Sequence, residues 1–170
     1  MDNAMIGKIE KARRYAEEKE ERVTFESFTV TIKGDNGTHT ISYKNGQFFS
    51  EGPIFKAHGY SAHTMAVERL LRGMIPSPAK TETSEAYVLD STRISKIEKA
   101  KRYAEERDRF EFQSFVVTIR GNNTVHTVRY ENGKFDMDDE FFKTHGYSAH
   151  TMAMERILKG MIPSPAESEA

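Results

Sequence analysis

The chain has 170 residues, a formal net charge of -1 and 30% charged residues. Acidic and basic residues are nearly equal in number, so no strong field steers the chain towards nucleic acid. No cysteine is present, which excludes disulfides, thiolate metal sites and thiol catalysis. The sequence also lacks an apolar run of about 18 residues and a signal-peptide pattern. We therefore expect a cytoplasmic protein without a membrane partner.

The sequence contains two closely matched copies of one segment. KIEKARRYAEE from Lys8 returns as KIEKAKRYAEE from Lys96, and HGYSAHTMAVERLLRGMIPSP from His58 returns as HGYSAHTMAMERILKGMIPSP from His145. A period of about 87 residues is far longer than a solenoid unit, which indicates two small domains. We place them at 1–78 and 94–166, with a linker at 79–93 and a tail at 167–170. Domains of this size are marginal alone, so we expect the copies to pack on each other.

Each copy begins with an amphipathic helix. Its apolar stripe at helical spacing is Ile6, Ile9, Ala12, Tyr15 and Ala16 in the first copy, and Ile94, Ile97, Ala100, Tyr103 and Ala104 in the second. Lysines and glutamates separate these residues, as in a helix with one buried face.

Three strands follow, because the apolar period changes to two. Phe28, Val30 and Ile32 share one face of the first strand, the pattern of a half-buried strand. A Gly-Asp-Asn-Gly turn leads to a return strand, and Asn45-Gly46 predicts a tight hairpin to a short third strand. The second copy repeats the pattern.

A second helix closes each copy. Ser61 is a good N-cap, and Gly73 and Pro76 mark the C-terminal end. The predicted fold class is therefore α+β: two repeated α-β-β-β-α units with short antiparallel meander sheets and an approximate internal twofold axis. The linker carries Tyr87-Val88-Leu89, which can pack on a surface or add an edge strand.

From the Asn-Gly hairpin to the closing helix, each copy resembles a SWIM-type zinc finger. Ser61-Ala62-His63 and Ser148-Ala149-His150 lie where that family has Cys-x-His. Ser50-Glu51-Gly52 and Met137-Asp138-Asp139 lie where it has Cys-x-Cys. Three of the four ligands are missing from each copy, so the resemblance implies a finger that has diverged, or was redesigned, to fold without zinc. It also implies binding to DNA or protein.

A finger without zinc needs other sources of stability. We expect Ser61 to cap its helix and Met137 to fill volume that a metal would occupy. Six aromatic side chains are expected to form the core between hairpin and helix: Phe48, Phe49, Phe55, Phe135, Phe141 and Phe142.

The histidines are the candidate metal ligands. His58 with His63, and His145 with His150, can converge on zinc or another divalent metal, with a nearby carboxylate as a third ligand. The alternative is that His63 is a packed remnant and His58 a surface loop residue. His39 and His126 lie mid-strand, and we interpret them as half-buried sheet residues whose packing is sensitive to pH.

The first helices carry a row of basic residues in each copy: Lys8, Lys11 and Arg14, and Lys96, Lys99 and Arg102. Such a row can contact nucleic-acid phosphates. The glutamates between them favour a solvated face with ion pairs along the helix.

These observations predict a non-enzymatic interaction or scaffold protein, with no catalytic residue and no cofactor. We expect a protein partner or self-association, with DNA as a further candidate partner. The two alternatives are a nucleic-acid-binding module that uses the basic rows and a metal binder that uses the histidines.

Overall fold

The computed structural model describes residues 3–35, 37–75, 91–121 and 124–162. Among them, no helix is long and apolar enough to cross a membrane. The predicted linker, with Tyr87-Val88-Leu89, lies mostly outside the described residues, and so does the tail. The helix that opens the second copy begins at Ser91, three residues before the predicted domain boundary.

The elements of the first copy follow the predicted order, with additions. They are α1 (Asn3–Glu17), α2 (Lys19–Arg22), β1 (Val23–Lys33), β2 (Thr38–Lys44), β3 (Gln47–Ser50), α3 (Pro53–His58) and α4 (Ala62–Leu70). The short helices α2 and α3 were not predicted.

The second copy has matching elements. They are α5 (Ser91–Glu105), a 3-10 helix (Arg107–Arg109), β4 (Phe110–Arg120), β5 (Val125–Glu131), β6 (Lys134–Asp136), α6 (Glu140–His145) and α7 (Ala149–Ile157). Helices and antiparallel strands together confirm the α+β class, while the internal twofold axis stays a prediction.

The strands form one sheet rather than two separate meanders. Its order is β3-β2-β1-β4-β5-β6, and the antiparallel β1–β4 pair joins the copies, with Phe28 opposite Phe115. The meanders of the two copies thus form one continuous sheet. A single copy would expose β1 or β4 as an edge strand, and the β1–β4 pairing covers both edges.

A register shift in the β1–β4 pair explains which residues are buried. The pairing shifts between Phe25 and Ser27, so that two consecutive residues, Glu26 and Ser27, both leave the core face. Phe25 is therefore as buried as Phe28 and Val30, although simple alternation places Phe25 on the opposite face. The irregularity has the form of a β-bulge.

The first helix of each copy packs on the closing helix of the other copy. Helix α1 lies against α7, and α5 lies against α4. Ala12 and Tyr15 of α1, and Ala100 and Tyr103 of α5, are almost fully buried, as the apolar stripes predict. The copies therefore share one hydrophobic core between the helices and one face of the sheet.

The predicted aromatic core is correct only in part. Phe48, Phe135 and Phe142 pack against the shared core. Phe49 does not, because it pairs with Ser42 on the polar face of the sheet and is 52% exposed.

Candidate functional site

Two histidine clusters lie where the copies cross. In the first cluster, His63 of α4 lies against His39 of β2 and Tyr103 of α5, with ring centroids 4.0 and 5.6 Å away. In the second cluster, His150 of α7 lies against His126 of β5 and Tyr15 of α1, at 4.2 and 5.4 Å. Each cluster takes its histidines from one copy and its tyrosine from the other.

The helix cap determines where His63 and His150 lie on their helices. Ser61 caps α4 by accepting from the Thr64 N–H at 3.1 Å, and the Thr64 hydroxyl accepts from the Ser61 N–H at 2.9 Å. This reciprocal capping box places His63 in the first turn, facing β2. Ser148 and Thr151 form the same pair of bonds ahead of His150.

Two glycines let the aromatic rings approach the hairpin turns. A Cβ on Gly34 would lie 3.2 Å from His63 Nε2 and 3.4 Å from the Tyr103 hydroxyl. A Cβ on Gly121 would lie 3.3 Å from the Tyr15 hydroxyl. In the first cluster, the Tyr103 hydroxyl also accepts a hydrogen bond from the Asp35 N–H at 3.2 Å.

Half-buried His63 and buried His150 both have lowered pKa values, which hold them neutral near pH 7. Burial, aided by the neighbouring His39, lowers the pKa of His63 from 6.5 to about 4. Burial likewise lowers the pKa of His150 to about 4, with His126, Lys11 and Lys8 adding to the shift and Asp139 opposing it. Removing an imidazolium from water costs free energy, and the nearby cations add repulsion.

His150 is the more buried of the two histidines. It is only 7% exposed, and neither ring nitrogen has a hydrogen-bond partner among the described residues. A buried polar group without a partner costs roughly 1–3 kcal/mol. The ring contacts with His126 and Tyr15 offset part of that cost.

The two histidines of each predicted metal-binding pair contact different residues. His58 is exposed and lies beside Tyr60, with ring centroids 5.5 Å apart. His145 is exposed and stacks on Phe141 at 4.0 Å. In the part of the chain that the structure describes, no three histidine or carboxylate side chains are grouped to hold a metal ion. Metal binding by these histidines stays a prediction.

The predicted basic rows lie beside the clusters. Lys96 and Lys99 repel a proton on His63 from α5, as Lys8 and Lys11 do for His150 from α1. Two of these cations have partners in the other copy. Lys8 Nζ lies 4.3 Å from the centroid of the Phe141 ring, and Arg102 bonds to the Asp35 carboxylate at 3.2 Å. Arg14 lies exposed over the ring of Tyr15. Contact of these rows with nucleic acid stays a prediction.

Four residues at the positions that the predicted zinc-finger resemblance involves form contacts within the fold: Ser50, Met137, Asp139 and Ser148. Met137 is 2% exposed, and Ser148 donates its hydroxyl to Met137 Sδ at 3.2 Å. Asp139 caps α6 by accepting from the Phe142 N–H at 3.0 Å. Ser50 accepts from the Gly52 N–H at 3.2 Å. These contacts confirm that Met137 is a core residue.

The sequence indicates His63 and His150 as candidate metal ligands and His39 and His126 as half-buried sheet residues, but it does not predict that they meet. The spacing favours His58, five residues away, as the neighbour of His63, whereas the structure places His39 of β2 against it. Tyr15 and Tyr103 were recognised only as buried stripe residues. The usable signal was that each tyrosine recurs at the same helix position in both copies.

The chain was compared with protein-family models, with curated proteins and with solved structures, and none of the three comparisons found a match.

Proposed function

We propose that this chain is a non-enzymatic interaction or scaffold protein in which two fused copies form one rigid platform. The observation that supports this most is the reciprocal crossing, with α1 packed on α7 and α5 on α4. Crossed helices and a continuous sheet tie both copies into one body. Such a body presents a broad polar sheet face and a helical face to partners.

The chemistry of the histidine clusters fits a structural role. His63 and His150 are packed against aromatic rings from both copies. A neutral imidazole that is covered by neighbouring rings stabilises the crossing and offers little contact to a substrate. Their lowered pKa values follow from that burial.

A relationship to SWIM-type fingers remains part of the proposal. The buried Ser148–Met137 contact supports a finger that holds its hairpin and helix together without zinc. On this proposal the aromatic interior and the second copy provide the stability that a metal provides elsewhere.

Site-specific photo-crosslinking tests the proposed function. A crosslinking amino acid is placed at exposed Arg129 on the sheet face or at exposed Arg13 on the helical face, in cells that produce the protein naturally. We expect a discrete adduct from at least one surface, removed by excess unmodified protein. If neither surface gives an adduct that such an excess removes, the chain is not an interaction protein.

A further inference from the structure

A groove of about 820 Å³ lies between α1 of the first copy and α7 of the second. Its apolar lining consists of Ile9, Ala12, Ala16, Met152 and Ile162. Clefts that bind ligands commonly measure roughly 300–1,000 Å³. The groove exists only because α1 crosses to the other copy, so it belongs to the assembled platform.

Basic side chains surround this apolar lining. Arg13, Lys19, Arg156 and Lys159 line the groove, together with the acidic residues Glu17 and Glu155. None of the four cations forms an ion pair with another residue of the described ranges. Burial raises the pKa of Glu155. The groove thus combines an apolar floor with an excess of positive charge.

The second copy of the sequence shows which charges have been kept. The cations Arg13, Lys19, Arg156 and Lys159 correspond to Lys101, Arg107, Arg69 and Arg72, which are all basic. The sheet face has changed instead, since Lys44, Ser42 and Phe49 correspond to Glu131, Arg129 and Asp136. The two copies therefore carry basic residues at the same positions around the helix crossings, whereas the residues of their polar sheet faces differ.

The groove is open at Gly160, whereas Gly73, the equivalent position at the α4–α5 crossing, is covered by Glu20. A Cβ on Gly160 would have no described atom within 4 Å, whereas a Cβ on the equivalent Gly73 would lie 2.6 Å from Glu20 Cγ. Glu20 follows α1 in the region where the first copy has one residue more than the second. In the described part of the chain, the α1–α7 groove is therefore not closed at Gly160 by a side chain in the way that Glu20 closes the equivalent position at Gly73.

We propose that the α1–α7 groove binds an acidic amphipathic peptide segment of a partner protein. Apolar side chains of the segment would enter the lining at Ile9 and Met152, while its carboxylates face Arg13, Arg156 and Lys159. Helix-in-groove recognition uses this division between apolar anchors and a charged rim. This inference rests on the proposed interaction function and names its surface and the chemistry of its partner.

A synthetic peptide of about 18 residues tests the inference, with leucines on one helical face and glutamates on the other. The control peptide keeps the leucines and replaces each glutamate by lysine. Methyl NMR on the full chain reports the site through Met152 and Ile162, with Met65 and Ile75 as the matched signals at the other crossing. We expect the acidic peptide to bind at one-to-one stoichiometry and to shift Met152 and Ile162 selectively.

Charge-reversal variants distinguish binding in this groove from nonspecific electrostatic attraction between the peptide and the protein. The double variant Arg156→Glu, Lys159→Glu should weaken binding of the acidic peptide about tenfold, because two rim contacts become repulsive. The double variant Lys44→Glu, Arg129→Glu makes the same change of net charge on the sheet face and should alter binding less than about twofold. All four side chains are exposed, so folding should survive.

Three results would overturn the inference. The first is that the acidic and lysine peptides bind equally well or that neither binds. The second is that the peptide shifts only signals on the sheet face. The third is that sedimentation gives twice the mass of one chain and the groove variant returns it to the mass of one chain. The last result would assign the groove to a second copy of this chain. A crosslinked adduct at Arg129 with no peptide binding would remove this inference and leave the proposed function standing.

Discussion

The Tyr103 hydroxyl accepts a hydrogen bond from the Asp35 backbone N–H at 3.2 Å. Tyr103 belongs to the first helix of the second copy, whereas Asp35 lies in the β1–β2 turn of the first copy. Arg102, the preceding residue, bonds to the Asp35 carboxylate and thereby helps to lower its pKa. One turn of one copy is therefore held by one helix of the other, and the space around Gly34 is set by that contact.

Replacing Gly34 by alanine should destabilise the protein by about 1 kcal/mol. The new Cβ would lie 3.2 Å from His63 Nε2 and 3.3 Å from the Gly37 carbonyl oxygen, so the cluster must shift to admit it. Gly37→Ala is the matched control, because a Cβ there has no described atom within 4 Å. That control should be neutral or slightly stabilising through the unfolded chain. Urea unfolding measures both, and equal effects would contradict the tight contact.

Much of the local structure could be predicted because it depends on nearby residues. Ser61 as the cap of α4 and the turn at Asn45-Gly46 both follow from their own side chains or backbone preferences. Tyr15 as a buried helix residue follows from its stripe.

What could not be predicted depends on residues far apart in the sequence. An apolar stripe on α1 shows that the helix is buried, but α4 and α7 offer nearly the same surface, and the stripe does not choose between them. The position of Phe49 depends on its register opposite Ser42, and the burial of Phe25 depends on a bulge opposite β4. The His39–His63 contact likewise joins a strand to a helix.

The free energy of unfolding should fall as the pH is lowered from about 6.5 to about 4. The pKa values of His63 and His150 are about 4 in the folded protein, against about 6.5 in an unfolded chain. Between these values the unfolded state binds protons that the folded state does not, so the stability present above pH 6.5 is lost as the pH falls. Each histidine contributes at most about 3 kcal/mol. Urea titrations across this range measure the slope.

A variant without one imidazole identifies the source of that slope. His150→Phe keeps a planar ring against Tyr15 and His126 but cannot take up a proton, so the slope should fall by about half. His145→Phe replaces an exposed histidine and should leave it nearly unchanged. An unchanged slope in His150→Phe would assign the pH dependence to other groups.

A single copy should associate into a homodimer. In residues 1–78 alone, α1 would lose α7 and β1 would lose β4, which are its partners in the other copy. A second molecule can supply α4 and β1 in their place, because the copies match so closely in sequence. Sedimentation equilibrium should give a dimer mass, with a melting temperature that rises with concentration. A folded monomer of constant melting temperature would show that the crossing is dispensable.

The serine caps of the two copies should differ in the stability they provide. Ser148 accepts from the Thr151 N–H at 3.1 Å and also donates to Met137 Sδ at 3.2 Å. Ser61 forms the equivalent cap with Thr64, but Ser50 occupies the position that corresponds to Met137. Ser61→Ala should cost about 1 kcal/mol, and Ser148→Ala should cost more, since it removes the contact with sulfur as well.

A double-mutant cycle with Met137→Leu isolates the sulfur contact. Leucine keeps nearly the volume of methionine but cannot accept the hydroxyl proton. In that background Ser148→Ala should therefore cost no more than Ser61→Ala does in the unmodified chain, and urea unfolding resolves the difference. If the two serine substitutions cost the same even when Met137 is present, the contact contributes nothing. Met137 would then stabilise the fold only by filling volume beneath α7.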